Sequence, residues 1–175
     1  MTWMAPTWTA PPAALTDGPM TGDDRLMLEA YLAYQRSKLL SRCAGLTGDQ
    51  LAQATVPPSN LTLLGLIRHM AKVERIWFRE RIGGEQMPPM YDPAQGKDAD
   101  FTDLDPELAA EDYARLLTES LLAVEAVAGR SFDDTIRHGD DVMSIRMVHV
   151  HMIGEYAQHN GHADLIRERL DGETG

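Results

Sequence analysis

Four stretches of helical apolar spacing, set apart by breaks rich in proline and glycine, constrain the fold of this chain more than any other feature. From Asp23 and Asp24, acidic residues placed to favour a helix N-terminus, apolar side chains recur at Leu26, Leu28, Tyr31, Leu32, Leu39 and Leu40. That spacing predicts a first helix over 23–44, closed by Gly45. Pro57-Pro58 then disfavours helix, and Ser59 or Asn60 can cap a second one that runs to Gly83-Gly84. At 1.5 Å per residue its roughly 22 residues span ~33 Å, the length of a bundle helix. Residues 83–105 contain Gln86-Met-Pro-Pro-Met-Tyr-Asp-Pro followed by Asp98, Asp100 and Asp103. They are too long and too broken for a tight turn, and suit a crossover between distant helix ends. Asp105-Pro106-Glu107 reads as cap, first-turn proline and acidic first turn of a third helix, continuing through Tyr113, Leu116, Leu117, Leu121, Leu122 and Val124 to Gly129. A loop over Phe132 to Asp141 leads to a fourth helix from about Met143 to Leu170, ended by Asp171-Gly172. No segment shows convincing two-residue alternation of β-branched side chains, and there is no internal repeat. The expected fold is all-α, a four-helix bundle over 23–175 with a long crossover between its second and third helices. Residues 1–22, with Pro6, Pro11, Pro12 and Pro19, are expected to form an extended arm that Trp3 and Trp8 anchor to a surface.

Length and composition bound the partners. At 175 residues the chain is one domain with one core. With 16 Lys+Arg against 27 Asp+Glu, a formal charge of −11 argues against nucleic acid, which is held through phosphates. No apolar run approaches the roughly 20 residues of a membrane span, and Met1-Thr-Trp-Met-Ala-Pro lacks a charged segment followed by an apolar one. The expectation is a cytoplasmic protein without a membrane partner. Cys43 is the single cysteine, so no internal disulfide is possible, in keeping with a reducing compartment. Its place at the end of the first helix, with no histidine near it in sequence, reads as buried packing rather than as a nucleophile. Met4, Met87 and Met90 read as gap-filling or surface residues, and Trp77-Phe78 as core or dimer interface.

Histidine is where the sequence turns specific. His149, His151, His159 and His162, four of the six, fall in the fourth helix. At about 100° per residue, His151, Glu155, His159 and His162 lie at roughly 0°, 40°, 80° and 20° and share one face, while His149, at about 160°, points elsewhere. On the second helix His69 is in line with Thr62, Leu66, Val73 and Ile76, the inward apolar stripe. An imidazole there needs polar partners. Glu155 and His159 project side by side at i and i+4, and His69 is the natural third group. Three N/O ligands with a vacant position describe an open, reactive metal site, whereas a closed structural zinc site usually uses cysteines. The same spacing equally describes hydrogen-bonded core histidines, so it leaves both readings standing.

Two segments carry a family resemblance. His69 within Leu66-Ile-Arg-His-Met-Ala-Lys-Val-Glu-Arg, and His151-Met-Ile-Gly-Glu-Tyr-Ala-Gln-His-Asn-Gly-His-Ala-Asp-Leu-Ile-Arg-Glu, resemble the DinB/YfiT-like superfamily, the second stretch more diagnostically. The likeness is strongest to an actinobacterial branch whose last helix reads E-Y-A-x-H-x-G-H-A before an I/L-D-G-x-x-G tail, here Leu170-Asp-Gly-Glu-Thr-Gly175, and it covers residues 23–175. The resemblance implies up-down-down-up connectivity and a divalent metal, zinc or nickel, held by one histidine of the second helix and a pair on the fourth. His69 takes the first place and His159 the last. Glu155 stands where many members have a histidine, as in relatives similar to mycothiol-dependent maleylpyruvate isomerase, which use a His-Glu-His set. A carboxylate there lowers the charge of the centre and favours harder ions. His162 and His151 are further candidates, as outer partners, alternative ligands or core residues.

Three functions follow from that resemblance. The first is a metal-dependent S-transferase that presents a low-molecular-weight thiol of the mycothiol type to a small electrophile, with Arg68, Arg75 or His162 touching the thiol's polar groups. The second is hydrolysis or isomerisation by a bound water, and the third a non-catalytic stress-response bundle that binds metal or ligand. The resemblance and the prevalence of two-fold oligomers also imply a homodimer.

Overall fold

The computed structural model describes residues 7–96 and 98–174, so Trp3 and Met4 lie outside the described residues. The architecture is predominantly helical, with five α-helices and one two-stranded sheet among the described residues. Helix α1 (Asp24–Cys43) opens on Asp23, whose carboxylate accepts from the backbone N–H groups of Arg25 and Leu26. A single turn, α2 (Gly48–Leu51), carries a reciprocal cap between Thr47 and Gln50. Helix α3 (Leu63–Glu74) begins later than Ser59 or Asn60. Those residues are spent in a turn, with Ser59 N–H on the Val56 carbonyl and Ser59 Oγ accepting from Leu61 N–H, and Thr62 caps instead, its hydroxyl accepting from Gly65 N–H at 2.9 Å. The helix continues into a π-helical segment, Arg75–Ile82, which apolar periodicity does not foretell. Asp105 caps a 3₁₀ turn (Pro106–Leu108) that leads into α4 (Ala109–Val127). Helix α5 (Ile145–Asp171) is capped by Ser144 and stops at Gly172, whose φ of 82° is the left-handed conformation of a helix terminator.

The region expected to be a plain loop holds a hairpin. Strands β1 (Thr135–His138) and β2 (Asp141–Ser144) pair antiparallel, Thr135 opposite Ser144 and His138 opposite Asp141. The two-residue Gly139-Asp140 turn sets Gly139 at φ 61°, the positive φ that a II′ hairpin requires at its first central position. Only Ile136 of β1 is buried, so a single apolar position carried the pattern.

The long helices lie side by side, α1 along α5 and α3 along α4. The order of cross-contacts gives their directions. Asp24–Arg146, Gln35–Asn160 and Arg42–Asp164 rise together along α1 and α5, and Arg68–Asp112 and Arg75–Glu119 rise together along α3 and α4. His69–His159 and Trp77–His151 show α3 and its π segment running against α5. Leu32, Leu39, Leu63, Leu66, Ile67, Met70, Met152, Tyr156 and Ile166 fill the interior. Cys43 is buried there too, and burial pushes its thiol up to about 12, which leaves it un-ionised and inert at neutral pH. The arm lies against this body. Trp8 meets Tyr113 edge-on at 6.0 Å, and Ala10 exchanges backbone hydrogen bonds with Leu46 and Gly45. No helix among the described residues is long and apolar enough to cross a membrane.

Candidate metal centre

His69 leaves α3 toward α5, where Glu155 and His159 occupy successive turns. One ligand atom from each of the three lies within 4.8 Å of the others, and all three side chains are half-buried. Two ligands of a tetrahedral ion with bonds of about 2.0–2.1 Å stand roughly 3.4 Å apart. The separation of 3.8 Å between Glu155 Oε2 and His159 Nε2 is near that value and too long for a hydrogen bond. Burial, followed by the neighbouring His69 and His162, pushes His159 down to about 4. Its ring is therefore neutral at physiological pH, the form that ligates a cation.

The crossover supplies a residue that sequence reasoning passed over. Asp100 Oδ2 lies 2.6 Å from His69 Nδ1 and 2.6 Å from Lys72 Nζ. Burial raises the Asp100 carboxyl, but the hydrogen bonds from His69 and Lys72 outweigh it and hold the group below the usual carboxylate range. With Nδ1 committed to a carboxylate, His69 Nε2 is the atom free to ligate, the arrangement that metal-bound histidines adopt. Arg68 holds the loop in place: its guanidinium donates to the carbonyls of Ala99 and Asp100 at 3.2 Å each and lies 4.2 Å over the Tyr91 ring. Gly65 lets the loop close, since a Cβ there would stand 2.8 Å from the Phe101 ring that packs on His69.

The remaining candidates separate. His162 Nδ1 lies 3.3 Å from His159 Nδ1, beside the centre. His151 Nε2 is 3.7 Å from the other oxygen of Glu155, and its ring packs on Trp77 at 4.4 Å. His149 points away, as its angle on the helix predicts, buried between Phe78 and Phe132 with Nδ1 on the Ile145 carbonyl. Arg75 donates twice to Glu119 of α4, and with Lys72, Ile76, Glu80 and Tyr91 it lines a cleft of 290 Å³ between the π segment and the crossover.

A sequence model described as mycothiol-S-transferase matches residues 27–172, a span that contains His69, Asp100, Glu155 and His159. Neither curated proteins nor solved structures return a match. The match extends over most of the 175 residues and takes in the helices that carry the converging side chains. By that span the chain belongs to the mycothiol-S-transferase family, a DinB-like family.

Proposed function

We propose that this protein is a divalent-metal-dependent thiol S-transferase of the mycothiol type, with His69, Glu155 and His159 as ligands of a zinc or nickel ion. The observation that carries the reading is the convergence of these three side chains with Asp100 behind His69. The donor set fits such an ion: two neutral-capable imidazoles, one carboxylate and no fourth protein ligand among the described residues. A bound cation of this kind lowers the pKa of a thiol and supplies a nucleophile at neutral pH.

The chain's own residues prepare that chemistry. Asp100 fixes the tautomer of His69, and His162 lies against the far nitrogen of His159. The cleft beside Lys72 and Arg75 offers charged and apolar walls to a hydroxyl-rich thiol; Arg68, spent on the crossover carbonyls, positions the loop. Cys43, buried and un-ionised, leaves the nucleophile to a co-substrate. In the transfer a sulfur–carbon bond forms to the electrophile, its leaving group departs with the electron pair, and the thiol proton passes to solvent. The fold that goes with this reading is an up-down-down-up bundle over 23–175, supported by the order of the cross-helix pairs, preceded by the proline-rich arm of 1–22, whose Trp8 and Ala10 rest on the bundle. The reading also includes a homodimer at work in the cytoplasm.

The test begins with metal content of untagged protein by plasma mass spectrometry, in wild type and in His159→Ala. The expectation is about one metal per chain, lost in the variant. Mycothiol-dependent consumption of monochlorobimane then follows, with release of chloride. Absence of metal after incubation with zinc, nickel and manganese overturns the centre. Metal without thiol-dependent turnover overturns the transferase and leaves a binding bundle.

A further inference from the structure

We propose that Arg81, together with His138 and His151 around the Trp77 ring, forms a carboxylate-binding subsite beside the metal centre, so that the small electrophile carries a carboxylate. This names the substrate class of the proposed transferase and rests on that reading for turnover, though not for binding.

The starting observation is an unpaired cation. On the π segment Arg75 and Arg79 both hold Glu119, and Arg79 also holds Glu85. Arg81 has no ion pair among the described residues, and its Nη1 is buried without a hydrogen-bond partner. Its guanidinium carbon lies 3.9 Å over the Trp77 ring. Stacking satisfies the face of a guanidinium but leaves its in-plane donors unserved, and a desolvated charged donor without an acceptor is costly to keep. That cost is met when an anion enters.

Around the same ring stand two more donors. The hairpin brings His138 to 5.0 Å from Trp77, and α5 brings His151 to 4.4 Å. Arg81, His138 and His151 thus all pack on one indole ring. All three are half-buried, so each keeps a part of its side chain open to a small group from solvent. In a chain of formal charge −11 this is a local concentration of cationic and N–H-bearing side chains. The planar fork of a guanidinium matches the two oxygens of a carboxylate. This cluster also adjoins the centre: His151 touches Trp77 on one side and lies 3.7 Å from Glu155 on the other. An anion held at Arg81 thus places the rest of a small molecule toward the three ligands. The π winding, a rare form that is frequent at functional sites, carries both Trp77 and Arg81.

The test uses proton–nitrogen spectra of the full chain, metal-free and zinc-loaded. They follow the Trp77 indole and Arg81 Nε signals during titration with crotonate, with its uncharged methyl ester, and with chloride at matched ionic strength. The expected result is a saturable shift with crotonate alone, in both metal states, weakened about tenfold or more in Arg81→Gln, the scale of a lost charged hydrogen bond. Arg81→Lys, which keeps the charge and the stem over Trp77, guards against a folding defect and is expected to retain more of the affinity than the Gln variant. Equal shifts with the ester or with chloride overturn the proposal, as does undiminished binding in Arg81→Gln. Crotonate shifts without thiol-dependent turnover keep the subsite and remove the transferase. Turnover of monochlorobimane without crotonate shifts does the reverse.

Discussion

Asp100 occupies Nδ1 of His69 and leaves Nε2 for the candidate centre, and it does so from a loop rather than from a helix. Replacing it by asparagine keeps the size and an oxygen for Nδ1–H but removes the charge that makes the ring a stronger donor to a cation. Carboxylates in this position are worth ten- to a hundredfold in metal affinity. Asp100→Asn is therefore expected to weaken zinc binding by about 10–100-fold, read by competition with a chromophoric chelator, while the helical circular dichroism is unchanged. Equal affinity in a folded variant would remove Asp100 from the centre. In sequence Asp98, Asp100 and Asp103 are alike, three acids in a polar stretch. Only the folded crossover, pinned by Arg68 and admitted by Gly65, separates one from the others. Arg81 shows the same limit: an arginine reads as solvated surface until its neighbours show that it has no ion pair among the described residues.

At the scale of elements, the junction of α3 with its π segment is fixed by a buried charge. Glu74 is fully buried, and its two oxygens take 2.7 Å hydrogen bonds from Arg36 of α1, with Tyr156 of α5 donating at 2.8 Å. Three helices meet on that carboxylate. Removing one partner of a buried pair leaves the other charge uncompensated, at a cost of about 3–5 kcal/mol. Glu74→Ala is expected to lose that much stability by urea unfolding. Arg146→Ala, on exposed pairs with Asp24 and Asp133, is expected to lose about 0–1 kcal/mol, and a similarly small loss at Glu74 would show that the network does not tie the helices. The long helices were legible because caps and apolar spacing agree along them: Asp23, Asp105 and Gly172 all act where their residue types predict. The shared face of Glu155, His159 and His162 was legible for the same reason. The hairpin had one readable signal, the Gly139-Asp140 turn, but its four-residue strands bury too few side chains to show alternation. The π winding has no apolar period of its own to read, so the spacing shows only a continuing helix there.

For the molecule as a whole, the candidate centre is an addition to a core that stands without it. The interior runs from Leu32 and Leu39 through Leu63, Ile67 and Met70 to Met152, Tyr156 and Ile166, and none of these contacts passes through His69, Glu155 or His159. Zinc folds those small domains whose core is too thin to do so; here the helices have apolar partners of their own along α1 with α5 and α3 with α4. The three candidate ligands nonetheless come from two helices and are braced by the crossover, so an ion bound only by the native arrangement must stabilise it. Free metal at about a hundred times its dissociation constant adds about 2.7 kcal/mol, which in a domain of this size raises the melting temperature by roughly 5–11 °C. Chelation is therefore expected to leave far-UV circular dichroism unchanged and to lower the melting temperature by that amount, and zinc to restore it. The His159→Ala variant is expected to melt at one temperature with and without zinc. Loss of helical signal on chelation would mean that the ion holds the fold together, and the open, reactive centre would then be the wrong description.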